Sequence, residues 1–125
     1  MKESPVFVKT LDFITWLIPL TVRFPREQRF IMAEALQRDL LTLHEALVRA
    51  GFDGSPETAL DHLHEAGVRL TLVRFHLRLC ERWSLITTRQ YEYAVERLAE
   101  IGRLVRAWQK SCAGKAPATA KPYEE

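Results

Sequence analysis

The chain has 125 residues, of which 47% are hydrophobic and 27% are charged, and its formal net charge is +2. This length allows one domain with a real core and excludes two ordinary domains. Two cysteines are too few for a disulfide framework and no signal peptide is recognisable, so we expect a reducing cytoplasm. The most apolar run, FITWLIPL, is far shorter than the roughly 20 residues of a membrane span, so we predict no transmembrane segment and no membrane partner.

Four amphipathic segments follow one another along the chain. The pattern predicts helices at about 5–22, 26–50, 56–83 and 88–112. Pro19 lies late in the first segment, so we expect that helix to kink or to end early. The last segment, 113–125, is rich in Ala, Pro and Lys and is typical of a flexible tail.

Residues typical of helix ends mark the three breaks between the segments. In RFPRE, Pro25 suits the start of the second helix. In AGFDGSPET, Gly51 is a candidate C-cap and Ser55 a candidate N-cap. In SLITTRQ, Thr87 or Thr88 can cap the fourth helix. The breaks are short, which favours antiparallel neighbours.

Each of the last three helices carries an apolar stripe with alternating steps of three and four residues. The predicted core stripes are Ala33, Leu36, Leu40, Leu43 and Leu47; then Leu63, Ala66, Leu70, Val73, Leu77 and Cys80; then Tyr91, Ala94, Leu98, Ile101, Val105, Trp108 and Cys112. Such stripes are the seams of a bundle with shallow crossing angles. The sequence therefore predicts an all-α, up-down-up-down four-helix bundle over residues 1–112.

Metal and cysteine chemistry find little support in the sequence. Asp61 and His64 have the spacing of an Asp-x-x-His pair, but a bundle di-iron site needs two such motifs and further inward carboxylates. We interpret both residues as solvated polar side chains, and Cys80 and Cys112 as buried apolar ones. No metal, no cofactor and no catalytic residue is predicted.

A ribonuclease is the alternative that remains open. Some helical-bundle ribonucleases bring an Arg and a His, a few residues apart on one helix, to a scissile phosphate. Arg38 precedes His44 by six residues, and Arg69 precedes His76 by seven. The pattern is short and occurs twice, on different helices.

Charge is unevenly distributed along the chain. Residues 34–66 hold seven acidic and two basic side chains, whereas 67–115 hold ten basic and four acidic ones. A chain that is almost neutral overall can thus present a basic surface to a polyanion.

The basic residues are also ordered along the predicted helices. Arg74, Arg78 and Arg82 recur every four residues in VRFHLRLCER, where like charges repel on a helix. The remaining candidates for binding nucleic acid or protein are Arg103, Arg106, Lys110, Arg26 and Arg29. Two interpretations stay open at this point: pairing with acids of the same chain, or contact with phosphates or an acidic partner.

Several segments together resemble a known family. FPREQRF, VRFHLRLCERWSLITTRQYEYAVERLAEIGRLVRAWQKS and the overall length are similar to the accessory variability protein (Avd) of diversity-generating retroelements. That family is similar in turn to the four-helix bundles encoded in intervening sequences of bacterial rRNA genes. The resemblance covers about residues 6–111.

The resemblance implies a non-catalytic homopentamer of four-helix bundles. Avd proteins bind the reverse transcriptase of the retroelement and its template RNA, or the resulting cDNA, and support mutagenic cDNA synthesis. Residues matching Arg74 and Arg78 belong to the surface that contacts these partners. The acidic second helix departs from the more basic family pattern. If the chain is instead of the rRNA intervening-sequence type, the bundle remains but the polymerase partner does not.

Large apolar residues exceed what four core seams require. We expect Phe13, Trp16, Phe75 and Trp83 to be exposed, and exposed apolar patches commonly mark interfaces. The sequence therefore predicts a ring-like homo-oligomer, and the family resemblance implies a pentamer.

Overall fold

The computed structural model describes residues 4–52 and 54–115, and all regular structure within them is helical. Helix α1 is Pro5–Val22. Helix α2 spans 26–52 and joins a short α-helical turn Arg26–Gln28, a π-helical turn Arg29–Ala33 and the α-helix Glu34–Phe52. Helix α3 is Pro56–Arg82 and helix α4 is Thr88–Lys115.

The predicted four-helix bundle is confirmed. Helices α2 and α3 pack most extensively, α3 packs on α4, and α1 lies against both α4 and α2. Short connections make successive helices antiparallel. The predicted start of the tail at residue 113 is wrong, because residues 113–115 continue α4. The rest of that prediction, 116–125, lies outside the described residues.

The predicted stripes form the core. All members of the α2 and α3 stripes are buried, as are most of those of α4, while Tyr91 and Trp108 are partly buried against them. The expectation that Phe13 and Trp16 are exposed is wrong. Phe13 is only 2% exposed, and the partly buried Trp16 packs against Tyr93 of α4 with ring centroids 4.7 Å apart. The first helix therefore turns its aromatic residues into the bundle.

Helix α1 is long and apolar enough, by length and composition, to cross a membrane. A core helix of a helical bundle can have the same length and apolar composition. Its buried residues are Val6, Thr10, Phe13, Leu17 and Thr21. Their spacing of three or four residues places them on one stripe. Further apolar residues of α1 are partly buried against the core, so bundle packing accounts for part of this apolarity: Phe7, Ile14, Trp16, Ile18 and Leu20. Pro19 lies inside α1, which continues to Val22, so the helix does not end early.

Two predicted N-caps are confirmed and one C-cap is wrong. The backbone N–H of Thr58 donates to Ser55 Oγ at 3.4 Å. Thr87 forms a capping box with Gln90: the Gln90 N–H donates to Thr87 Oγ1 at 3.0 Å, and the Thr87 N–H to Gln90 Oε1 at 2.9 Å. Gly51 is not a C-cap, because α2 extends to Phe52 and no glycine among the described residues has a positive φ.

A serine takes the left-handed position at the end of α3. Ser84 has φ 60°. Its N–H donates to Glu81 O at 3.1 Å, and the N–H of Leu85 donates to Cys80 O at 2.8 Å. This pair of hydrogen bonds is the Schellman motif, in which glycine is the usual residue at the left-handed position. The motif ends α3 and turns the chain toward α4.

The π-helical turn at Arg29–Ala33 was not predicted. It places Phe30 and Ile31 on the surface, with 78% and 60% of their area exposed. π-Turns inside helices are rare and often occur at functional positions.

Candidate functional site

The three arginines of the predicted α3 ladder lie on the protein surface. Arg74, Arg78 and Arg82 are exposed, and none of them forms an ion pair with another described residue. Arg78 and Arg82 line a hollow of about 260 Å³ with Phe75 and Leu79, whose side chains are 58% and 39% exposed. The ladder is therefore both cationic and apolar at its surface.

Three carboxylates of α3 and α4 are engaged elsewhere. Glu65 accepts a hydrogen bond from Arg69 Nε at 2.7 Å. Glu100 pairs with Lys9 of α1 at 3.2 Å. Glu81 accepts a hydrogen bond from a threonine hydroxyl of α4 at 2.8 Å. Pairing with residues 4–52 and 54–115 thus does not explain the ladder.

Arg97 of α4, in contrast, is paired within the bundle. Arg97 approaches Glu96 at 3.6 Å and Glu100 at 4.0 Å. Its guanidinium carbon also lies 4.9 Å from the centre of the Tyr93 ring, within the range of a cation–π contact. Arg97 therefore has intramolecular partners for its charge, unlike the arginines of the ladder.

The structure brings Arg74 together with Arg106. Both line a groove of about 170 Å³ between α3 and α4, where Gly67 and Gly102 also lie. Arg103 instead lines a separate hollow with Arg97, Glu96 and Glu100. The predicted cationic side of α4 is therefore divided between two places, and Lys110 is exposed beyond them.

The two candidates at the corner between α1 and α2 differ in their contacts. Arg29 Nε donates to the backbone oxygen of Phe24 at 3.2 Å and so ties the corner together. Arg26 is exposed and forms no ion pair with another described residue. The eight predicted residues thus occupy several parts of the surface and do not form one cluster.

A buried polar cluster centred on Asp39 was not predicted from the sequence. Asp39 of α2 is 2% exposed and accepts a hydrogen bond from Arg69 Nη1 at 3.0 Å. His76 Nδ1 lies 3.0 Å from the other carboxylate oxygen. The pKa of Arg69 is raised, chiefly by its hydrogen bond with Glu65. An acid three residues after Leu36, on the core stripe, is the signal that could have revealed this cluster.

This cluster also explains one of the two Arg–His pairs considered for a ribonuclease. Arg69 and His76 do converge, but they do so on a carboxylate of their own bundle. In the other pair, Arg38 is exposed, and His44 Nδ1 is buried with no hydrogen-bond partner among the described residues. The geometry of the Asp39 cluster favours a role for Arg69 and His76 in holding α2 and α3 together.

Residues 4–52 and 54–115 contain no group of three or more His, Cys, Asp or Glu side chains that could hold a metal ion. Asp61 and His64 are exposed. Cys80 and Cys112 are buried free thiols, as predicted, and burial raises the pKa of Cys80 to about 11. A thiol with this pKa is almost entirely protonated at neutral pH and is a poor nucleophile.

The fold and surface define a small four-helix bundle with exposed arginines that form no ion pair within the described part of the chain. A family model described as bAvd-like matches residues 6–112. The chain belongs to this family, which makes it an Avd-type accessory protein at the family level.

A solved structure shows the same fold. It is a protein of unknown function of the S23 ribosomal protein family from Bacteroides thetaiotaomicron VPI-5482, with TM-score 0.77 and 24% sequence identity, and the match covers 84% of this chain and 95% of that one. No curated protein sequence matches the chain significantly.

Proposed function

We propose that the chain is a non-catalytic accessory protein of a diversity-generating retroelement that binds the reverse transcriptase and the template RNA in the cytoplasm. Membership of the bAvd-like family supports an accessory role. The exposed cationic surface of α3 and α4 supports a polyanionic partner. In this proposal the bundle brings polymerase and RNA together and supplies no reacting group.

The observation that carries the proposal is the unpaired charge on α3. Arg74 and Arg78 lie one helical turn apart, both exposed, with no carboxylate of the described chain within ion-pair distance. Like charges at this spacing destabilise a helix by about 0.2–0.5 kcal/mol. A partner that brings negative charge removes this repulsion. Guanidinium groups are well suited to phosphate because they donate two parallel hydrogen bonds.

The test is the double variant Arg74→Ala with Arg78→Ala. Each change at these exposed positions should alter the free energy of unfolding by no more than about 0.5 kcal/mol. RNA binding should weaken, and its dependence on salt should fall by about 0.7–0.9 logarithmic units for each lost phosphate contact. If the arginines contact the polymerase instead, pull-down of the polymerase should fail while RNA binding persists.

Arg49→Ala is the matched control. Arg49 is exposed on α2, pairs with Glu45 at 3.0 Å, and its loss changes the net charge by the same amount as each single substitution. This variant should bind both partners as the unaltered chain does. A double variant that retains normal binding to both partners would refute the proposed function of the ladder. One that unfolds easily would show that the arginines serve the fold.

We also propose that the protein acts as a homo-oligomer, a pentamer by analogy with the family. Leu41, Val48 and Phe52 of α2 are 56%, 45% and 87% exposed. Their spacings of seven and four residues place them on one stripe of the helix. Phe75 of α3 and Trp83, directly after α3, are also exposed, as predicted, at 58% and 52%. Exposed apolar patches of this kind commonly mark contact surfaces between proteins.

The rRNA intervening-sequence type is the second candidate. The similar fold of the S23-family protein is compatible with it. It requires the same bundle and an RNA partner but no polymerase. Pull-down of the reverse transcriptase by the unaltered chain separates the two: capture supports the retroelement role, and loss of capture with RNA binding intact supports the alternative.

A further inference from the structure

The groove between α3 and α4 is a distinct feature of the cationic surface. It encloses about 170 Å³ and is lined by Gly67 and Thr71 of α3 and by Gly102 and Gln109 of α4. Arg74 and Arg106 line it from opposite helices. Long side chains on a helix lean toward its N-terminus, and α3 and α4 are antiparallel. The two guanidinium groups therefore approach the groove from opposite directions.

The absence of a side chain at Gly102 leaves room in the groove for the guanidinium of Arg106. A Cβ atom at position 102 would lie 3.3 Å from Nη1 of Arg106 and 3.9 Å from its guanidinium carbon. Glycine in a helix interior costs about 0.5–1 kcal/mol relative to alanine. The space left by the missing side chain is filled by the guanidinium, which lies across the backbone of its own helix.

The groove carries positive charge, and its described lining contains no carboxylate. Neither Arg74 nor Arg106 pairs with an acid in the described part of the chain. Glu100, on α4 near the groove in sequence, pairs with Lys9 on α1. Thr71 and Gln109 also line the groove. The Thr71 hydroxyl donates its hydrogen to the backbone oxygen of Gly67 at 3.1 Å, so the donors left for an oxyanion are the two guanidinium groups and the Gln109 amide.

We propose that this groove binds one phosphate group of the RNA backbone between Arg74 and Arg106. The inference rests on the proposed function and adds the position and chemistry of the contact. The groove favours a phosphate over a protein segment, because its large apolar lining residues Leu70, Leu98 and Val105 are buried. The exposed apolar side chains Phe75 and Leu79 line a different hollow. Protein interfaces rely on such apolar side chains, whereas phosphate contacts rely on charged and polar donors.

The experiment compares Arg106→Gln and Arg74→Gln in the full chain. Glutamine keeps most of the side-chain length and removes the charge. A fluorescent single-stranded RNA from the template repeat is titrated at several salt concentrations. Each variant should bind about tenfold more weakly, the loss of one charge-assisted contact. Each should also lower the logarithmic salt slope by about 0.7.

Gly102→Ala tests whether the space beside Gly102 positions the guanidinium of Arg106, and it removes no charge. The added methyl group forces the guanidinium to shift, so RNA binding should weaken less than in Arg106→Gln. Gly114→Ala is the matched control, because it lies in the same helix and a Cβ there has nothing within 4 Å. It should bind RNA normally. Thermal unfolding monitored by circular dichroism verifies that each variant is folded.

The outcomes distinguish a failure of the proposed phosphate site from a failure of the proposed function. Normal RNA binding by both Arg106→Gln and Arg74→Gln overturns the groove, while the proposed function survives if the unaltered chain binds RNA and polymerase. Loss of polymerase pull-down with normal RNA binding also overturns it, because the occupant is then an acidic protein segment. An unaltered chain that binds no RNA overturns both proposals.

Discussion

Asp39 of α2 accepts a hydrogen bond from Nη1 of Arg69 of α3 at 3.0 Å, and the Asp39 side chain is almost completely buried. Arg69 is also held by Glu65 of its own helix, and His76 contacts the second oxygen of Asp39. This arrangement joins the two helices that pack most extensively. A polar cluster inside an apolar seam fixes the register of the two helices, because a shift of one turn would leave the carboxylate unpaired.

Replacing Arg69 by Ala should lower the free energy of unfolding by about 3 kcal/mol, because it leaves a buried carboxylate with one fewer partner. Replacing Asp39 and Arg69 together by Leu and Met should recover much of this loss. Chemical denaturation of Asp39→Leu, Arg69→Met and the double variant measures their coupling. Additive effects in this cycle would contradict an energetic link between the two residues.

Ser84→Gly should increase the free energy of unfolding by about 0.5 kcal/mol. Ser84 has a left-handed backbone, which costs a non-glycine residue more than glycine, and the gain is reduced by the greater freedom of glycine in the unfolded chain. Ser111→Gly, in the interior of α4, should have the opposite sign because glycine weakens a helix. Thermal unfolding of both variants measures this contrast, and a loss of stability in Ser84→Gly would disprove the proposed strain.

Cys80 should make the stability of the protein depend on pH in the alkaline range. Burial raises its pKa from 9.0 to about 11, so the unfolded state releases the thiol proton first as pH rises. The contribution of the thiol is fully present below pH 9 and is lost between about pH 9 and 11. Urea titrations from pH 7 to 10.5 should show a steeper decline for the unaltered chain than for Cys80→Ala. Parallel pH profiles would contradict the shift.

RNA should remain intact when it is incubated with the purified protein in the absence of divalent metal. Arg69 is bound by Glu65 and Asp39 of its own chain, so its guanidinium is not available to a scissile phosphate, and His76 is held through Nδ1 by the same Asp39. Gel analysis of labelled RNA with the unaltered chain, His44→Ala and His76→Ala provides the test. Cleavage by the unaltered chain that disappears in His76→Ala would establish the ribonuclease alternative.

Assembly should depend on the exposed apolar stripe of α2. The combined change Val48→Glu and Phe52→Glu places charges on this stripe and should yield a monomer. Leu11→Glu, at a position 53% exposed on α1, is the control and should leave the assembly intact. Multi-angle light scattering at micromolar concentration measures the mass. A monomeric unaltered chain would refute the oligomer.

The sequence determined the fold class, the core stripes and several helix boundaries. Leu residues recurring every three or four positions define one buried face of a helix regardless of its neighbours, and Ser55 and Thr87 cap their helices through local hydrogen bonds. Such features depend on periodicity and on atoms a few residues apart. They can therefore be predicted from one chain.

Only the tertiary structure decided which side chains meet across helices. Three features depend on the rotation of one helix against another. They are the burial of Phe13, the convergence of Arg69 and His76 on Asp39, and the groove shared by Arg74 and Arg106. A periodic sequence fixes which face of a helix is apolar, but leaves its rotation to packing. The partner contacts of the arginines depend on that rotation too, and they stay a prediction for the binding experiments.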